Sequence, residues 1–283
     1  MRIPTLDLPA HFRQTLEAKT SQAPAADRLP LWIQDQCVGS VSPLLLQTLE
    51  SQGYPLNQFG LRREVSSRGL ELQFTDGPTQ VFHRLASVLR TLQMVPPMKE
   101  EALAIGGSPG HRLGLIPRDL VRLFGVASQS VHLVGISVDG RCWVQHRALS
   151  KAEDPGQWDT LVGGTVTFGE SSASTLTREM WEEAGLRTPD LAWLRSAGRL
   201  TIQQPRPVKE WLGHQTEHID CYVALLRPGV SPRNQDGEVL AFQPLDLEEL
   251  SRWLQNEAFT LEAAATMLQV FKASNPPART WPG

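Results

Sequence analysis

The chain has 283 residues, 41% of them apolar and 20% charged, enough to bury a sizeable core and long enough for two domains. A formal charge of -3 supplies no basic field for a nucleic acid polymer or an anionic membrane, so the expected partner is small and site-bound. The three cysteines, Cys37, Cys142 and Cys221, lack CxxC spacing; this argues against a disulfide framework or zinc knuckle and predicts buried thiols in a reducing compartment.

The first twenty residues lack the apolar run of a signal peptide, and no later run reaches membrane-spanning length, so a soluble cytoplasmic protein is expected. Ser42 and Pro43 open a short helix through "LLLQTLESQG", which Gly53 stops. After the turn "TDGPT", Val81, Leu85, Val88, Leu89 and Leu92 recur on one helical face, whose partner surface is a sheet containing "LELQF". Breakers crowd residues 96 to 117 and mark loops and a boundary region. The cluster "GGSPGHRLG" there lacks the GK[ST] ending of a phosphate loop and is read as a plain loop.

From residue 128 the pattern turns to strands. "SVHLVGISV" and "RCWVQHR" flank Asp139-Gly140, a hairpin turn in which both central residues should take positive φ. Strands "EHIDCYVALL" and "EVLAFQPL" follow, then helices capped by Asp246 and Thr260, the second burying Leu261, Leu268 and Phe271. Strands with helices on both faces predict an α/β fold. "HQTEH", residues 214 to 218, matches the order of a zinc peptidase motif, but its β-rich surroundings predict a strand, where the two histidines stand about 13 Å apart.

The stretch "GGTVTFGESSASTLTREMWEEAGL", residues 163 to 186, concentrates the chemistry. Ser171 or Ser172 caps a helix ending at Ala184, with Gly185 as its stop. Ala173, Leu176, Met180 and Ala184 share one side; Glu179, Glu182 and Glu183 share another and are expected to face solvent and metal. Three neighbouring carboxylates raise each other's pKa unless a cation compensates them, and an all-oxygen set suits Mg²⁺ or Mn²⁺. Arg178 is placed to pair bidentately with Glu170, locking the loop onto the helix.

The pattern G-x5-E-x7-R-E-U-x-E-E-x-G-U, with U apolar, is filled by Gly164, Glu170, Arg178, Glu179, Met180, Glu182, Glu183, Gly185 and Leu186. This resembles the Nudix box without a departure. The resemblance implies a Nudix α/β/α sandwich with a mixed sheet over residues 123–283, preceded by a smaller α+β domain over residues 1–122. It also implies metal-dependent hydrolysis of a diphosphate linkage in a nucleoside diphosphate-X compound. The Gly163 carbonyl with Glu179, Glu182 and Glu183 would hold the metal, and Glu182 or Glu183 would activate water. Family members often recruit one further glutamate as base or ligand, for which Glu238 stands ahead of Glu217. A wider stretch, "RLGLIPRDLVRLFGVASQSVHLVGI" with "HRALSKAEDPGQWDTLVGG", is similar to a Nudix subgroup related to the Nudix part of fungal thiamine pyrophosphokinase fusions, which implies a thiamine diphosphate-like substrate.

Beside the box, Arg147 and Lys151 are candidates to grip phosphate, and Trp158 to stack on a substrate ring. The expected partner is therefore a small-molecule diphosphate, with no nucleic acid polymer and no membrane, a homodimer being left open. The competing readings are a Nudix-fold ligand sensor that cleaves nothing and a diphosphate isomerase, which needs a catalytic cysteine that Cys142 alone could supply.

Overall fold

The computed structural model describes residue 3 and residues 5–96, 101–106 and 112–272. In chain order the elements are α1 (Ala10–Thr20), β1 (Leu29–Ile33), β2 (Gln36–Val41), α2 (Pro43–Ser51), α3 (Leu56–Phe59), β3 (Leu61–Ser66), β4 (Gly69–Phe74) and α4 (Pro78–Thr91). The hairpin β5 (Ala102–Ile105) and β6 (Gly114–Pro117) follows, then β7 (Ala127–Ile136), β8 (Cys142–Arg147), β9 (Trp158–Asp159), β10 (Val162–Thr165) and α5 (Ser172–Ala184). The chain continues through β11 (Leu191–Val208), β12 (Trp211–Leu226), β13 (Val239–Leu245), α6 (Leu247–Gln255) and α7 (Leu261–Lys272).

The N-terminal part is α+β. Its sheet runs β2-β1-β4-β3, with β1 and β4 parallel, and buries Leu31 and Leu72 against Leu45, Val81, Phe82, Leu85 and Leu89 of α2 and α4. The same core takes in Leu120, Phe124 and Val126, and also Val208 and Trp211 at the far tip of the β11–β12 hairpin. Arg28 ties these parts together: its guanidinium, removed from water, donates to the Ser40 hydroxyl at 3.0 Å and to the carbonyls of Leu123 at 2.9 Å and Leu212 at 2.6 Å.

The larger sheet is mixed. Its order is β11-β12-β7-β8-β13, with β12 and β7 parallel, β10 added to β7 and β9 to β8. Alternation along its strands sorts side chains onto two layers. Val131, Leu133, Tyr222, Ala224 and Leu226 face Leu176, Met180 and Ala184 of α5. Val134, Ile136, Val144, Cys221 and Val223 face α6 and α7. Leu6, Leu8 and Leu16, from α1 and the segment before it, join that second layer, so the start of the chain packs on the C-terminal helices. The result is the α/β/α sandwich with a mixed sheet.

Four local features differ from the sequence reading. β11 is an unforeseen 18-residue strand containing Pro205 and Pro207; it lies at the sheet edge, where a missing N–H breaks no ladder bond. In the 139–140 turn only Gly140 takes positive φ, at 85°, because Gly140 N–H donates to Ser137 O and Ser137 N–H to Arg141 O, a longer turn closed by one left-handed glycine. The boundary region holds the β5–β6 hairpin, while residues 107–111 of the glycine-rich loop lie outside the described residues. Cys142 and Cys221 are buried, the Cys142 thiol being pushed up to about 12 by burial, but Cys37 is exposed on β2. No helix among the described residues is long and apolar enough to cross a membrane.

At Gly39 of β2 a side-chain carbon would run into the Phe124 carbonyl oxygen, so only glycine lets β2 pass that turn. Gly39→Ala is expected to cost about 1–3 kcal/mol by overpacking, read as a lower urea midpoint with an unchanged slope.

Candidate active site

α5 begins where Ser171 accepts the Ser174 N–H and Ser174 returns a bond to the Ser171 N–H, a capping box; it ends at Gly185, whose φ of 64° few other residues tolerate. Asp220 of β12 pins the first turn to the sheet, accepting from Ser172 Oγ at 2.6 Å and from Gln129 Nε2 at 2.8 Å. The helix is thus held at both ends before its acidic edge is considered.

That edge is graded rather than uniformly exposed. Measured round the helix from Leu176, at the near edge of the packed side, Glu183 lies about 20° away, Glu179 about 60° and Glu182 about 120°. Their side-chain exposures follow: 13% for Glu179, 43% for Glu182 and 2% for Glu183. The expectation that all three face solvent therefore fails for Glu183, which is a buried acid. Its Oε2 accepts the Gly163 N–H at 2.9 Å and Gln145 Nε2 at 3.1 Å, and its Oε1 lies 3.8 Å from Lys151 Nζ. Lys151 also bonds Glu238. Gly164 carries no side chain because a carbon there would overlap Glu179.

Arg178 organises the other acids. Nε and Nη2 grip the two oxygens of Glu170 at 2.7 and 3.0 Å, the expected bidentate pair, and Nη1 reaches Glu179 at 2.8 Å and Glu182 at 3.0 Å. Thr167 and Thr175 hydroxyls complete the Glu170 shell at 2.9 and 3.0 Å. These bonds, chiefly that from Arg178, hold the Glu170 carboxyl down at about 2. Burial pushes Glu179 up to about 7 against the pull of Arg178, and pushes Glu183 up to about 8, with Glu179 adding to the effect.

The structure brings Gly163, Glu170, Arg178, Glu179, Glu182, Glu183, Lys151 and Glu238 to one side of the sheet. Arg147 is engaged elsewhere: it donates to Asp159 Oδ2 at 2.8 Å and to the carbonyls of Asp154 and Glu153, holding the 153–159 loop. Trp158 sits with the α6–α7 layer, its ring stacked on His146 at 4.6 Å and tilted against Trp253 at 4.9 Å. His214 and His218 lie on β12 as a strand, His214 buried and His218 bonded to Thr201 Oγ1 at 2.9 Å. Glu217 accepts from Gln215, away from α5. The residue missed in the sequence is Gln145. The one available signal was an amide at an inward position of "CWVQHR", between Trp143 and Arg147 on the same side of the strand.

The donors available to a cation are all oxygen, two of the acids are shielded from water, and their summed charge exceeds that of Arg178 and Lys151. That chemistry fits a hard divalent ion. As placed, however, no three His, Cys, Asp or Glu side chains among the described residues converge as a ligand set, since the Arg178 guanidinium stands between Glu179 and Glu182.

An acid whose folded-state pKa lies above its unfolded value binds its proton more tightly when folded, so stability falls as pH rises between the two values. For Glu179 and Glu183 that window runs from 4.5 to about 8. In metal-free buffer the melting temperature should therefore fall from pH 5 to pH 8, and Glu183→Gln should flatten the fall; differential scanning fluorimetry across that range checks it.

Residues 128–267 match the family described as NUDIX domain. An uncharacterized Nudix hydrolase of Pseudomonas aeruginosa is 39% identical over 93 residues, 33% of this chain and 53% of that protein. The chloroplastic Nudix hydrolase 20 of Arabidopsis thaliana is 22% identical over 264 residues, 89% of this chain and 69% of that protein, so this similarity extends through the N-terminal part. The chain thus spans about half the length of the first relative and about two thirds of the second. A crystal structure of a Deinococcus radiodurans protein, 20% identical, covers 59% of this chain and 98% of its own with a TM-score of 0.46. The part of the chain that carries α5 and its glutamates, residues 128–267, is a Nudix domain.

Proposed function

We propose that the protein hydrolyses a diphosphate linkage in a small molecule, a nucleoside diphosphate-X or thiamine diphosphate-like compound, with Mg²⁺ or Mn²⁺. The observation that carries this reading is the complete acidic edge of α5, one of whose acids, Glu183, is buried and fixed against the Gly163 N–H. Glu179, Glu182, Glu183 and the Gly163 carbonyl would hold the ion, with Glu238 within reach through Lys151. When bound, a divalent ion neutralises charge on the diphosphate oxygens and lowers the pKa of attacking water.

The chain's own residues supply the rest. Arg178 and Glu170 fix the entry loop to the helix, so that the acids meet the substrate at a set distance from the glycine turn. Glu182 or Glu183 takes the proton of the attacking water. Lys151, 21% exposed, faces the carboxylates and is the cation that receives phosphate charge. Arg147 acts through the loop it holds rather than on the substrate. Isomerase chemistry is disfavoured, because Cys142 belongs to the layer opposite α5 and its thiol stays protonated at neutral pH. A reducing, cytoplasmic compartment belongs to the same reading.

Phosphate or nucleotide release should be assayed on nucleoside diphosphate sugars, dinucleotides, coenzyme A and thiamine diphosphate analogues, with Mg²⁺, with Mn²⁺ and with chelator. At least one should be cleaved in a metal-dependent manner, and Glu182→Gln or Glu183→Gln should lower kcat by roughly 10²–10⁴-fold, the usual worth of a general base. No release from any substrate would leave the ligand-sensor reading in its place.

A further inference from the structure

Gln145 is 1% exposed, in the middle of β8, where pairing with Asp159 of β9 on one side and Phe242 of β13 on the other fixes its backbone. It shares a strand face with Trp143, which packs in the α5 layer, so its side chain projects under the acidic edge of the helix. There Nε2 donates to Glu183 Oε2 at 3.1 Å, the same oxygen that takes the Gly163 N–H at 2.9 Å. Two donors thus converge on one oxygen and leave Oε1 of Glu183 turned toward Lys151, 3.8 Å away. The amide's own Oε1 is buried and has no hydrogen-bond partner among the described residues.

A buried carbonyl oxygen without a donor is a standing cost that an apolar side chain of the same length would remove. Turning the amide over would set its carbonyl against Glu183 Oε2, the oxygen that the Gly163 N–H already fixes. An amide kept at such a place is serving the group it bonds. We propose that Gln145 is a positioning residue: with the Gly163 N–H it pins Oε2 of Glu183 and thereby makes Oε1 the oxygen that works on metal or water. This rests on the hydrolase reading for its consequence in turnover, but the geometry it asserts does not.

The test uses Gln145→Met, Glu183→Gln and the double variant of the full chain. Gln145→Met keeps the length and loses the donor; the fold should hold, the donor lost to Glu183 being offset in part by removal of the unpaired amide oxygen. In its crystal structure the Glu183 carboxylate should leave the Gly163 N–H or split between conformers. On whichever substrate the wild type cleaves, kcat should fall about 10–100-fold, the usual effect of removing a partner that orients a ligand, with KM within about threefold. In the Glu183→Gln background the same substitution should cost nothing further, which a general packing defect would not reproduce. An unmoved Glu183 carboxylate in the Gln145→Met structure overturns the proposal whether or not any substrate is cleaved, as does an equal loss of kcat in both backgrounds. A wild type that cleaves nothing sinks the hydrolase reading alone, and the crystal structure then decides the positioning role.

Discussion

The hydrogen bond from the Gly163 N–H to Glu183 joins a strand end to a helix through a carboxylate shut away from water. Such a group is tolerated only when donors satisfy it, and the fold supplies them from three separate segments: Gly163 before the helix, Gln145 on β8 and Lys151 on the loop beyond β8. All three precede the helix in the chain, and together they fix the height of α5 over the sheet. Leu176, Met180 and Ala184 then fix its rotation, and the remaining acids follow from helix periodicity.

The rest of the molecule stiffens this arrangement from outside. α1 lies on the C-terminal helices, with Lys272 and Glu17 pairing across them, while the N-terminal core holds the tip of the β11–β12 hairpin through Val208 and Trp211. Arg28 donates to acceptors on three chain segments at once, the Ser40 hydroxyl and the Leu123 and Leu212 carbonyls, so the contact between the two cores includes directed hydrogen bonds as well as apolar packing. Phe168, in the loop leading to α5, donates its N–H to the Ala102 carbonyl of β5, and the Arg112 guanidinium lies over its ring at 5.3 Å. The N-terminal hairpin thus touches the loop that Glu170 and Arg178 anchor.

Much of this was legible in the sequence because it depends on local rules. The capping of α5, its stop at Gly185, the helices after Pro43 and Asp246 and the bidentate Arg178–Glu170 pair all arise within about ten residues of chain. What escaped depends on distant partners. The burial of Glu183 needs Gln145, which is 38 residues away. Arg147 reads as a phosphate grip until Asp159 and two loop carbonyls claim its donors, and Trp158 reads as a ring to stack on substrate until α6 brings Trp253 against it. β11 was hidden by prolines that an edge strand accommodates. Helix periodicity contains the gradation from Glu182 to Glu183, since the angular distance of each acid from Met180 orders the two by depth.

Arg178 gives the site its remaining logic. A single guanidinium spends two donors on Glu170 and shares the third nitrogen between Glu179 and Glu182, so the structural lock and the acidic edge are parts of one network. Glu183 stands outside it: Arg178 makes no bond to it, and Lys151, 3.8 Å away, is bonded to Glu238. A divalent cation held by Glu179 and Glu182 would compete with Nη1 for them and would leave the Glu170 grip intact, because that grip uses Nε and Nη2. The loop can therefore stay fixed while the edge of the helix exchanges one cation for another, which is the property a site needs if metal and substrate are to arrive and leave without unfolding the turn that holds them.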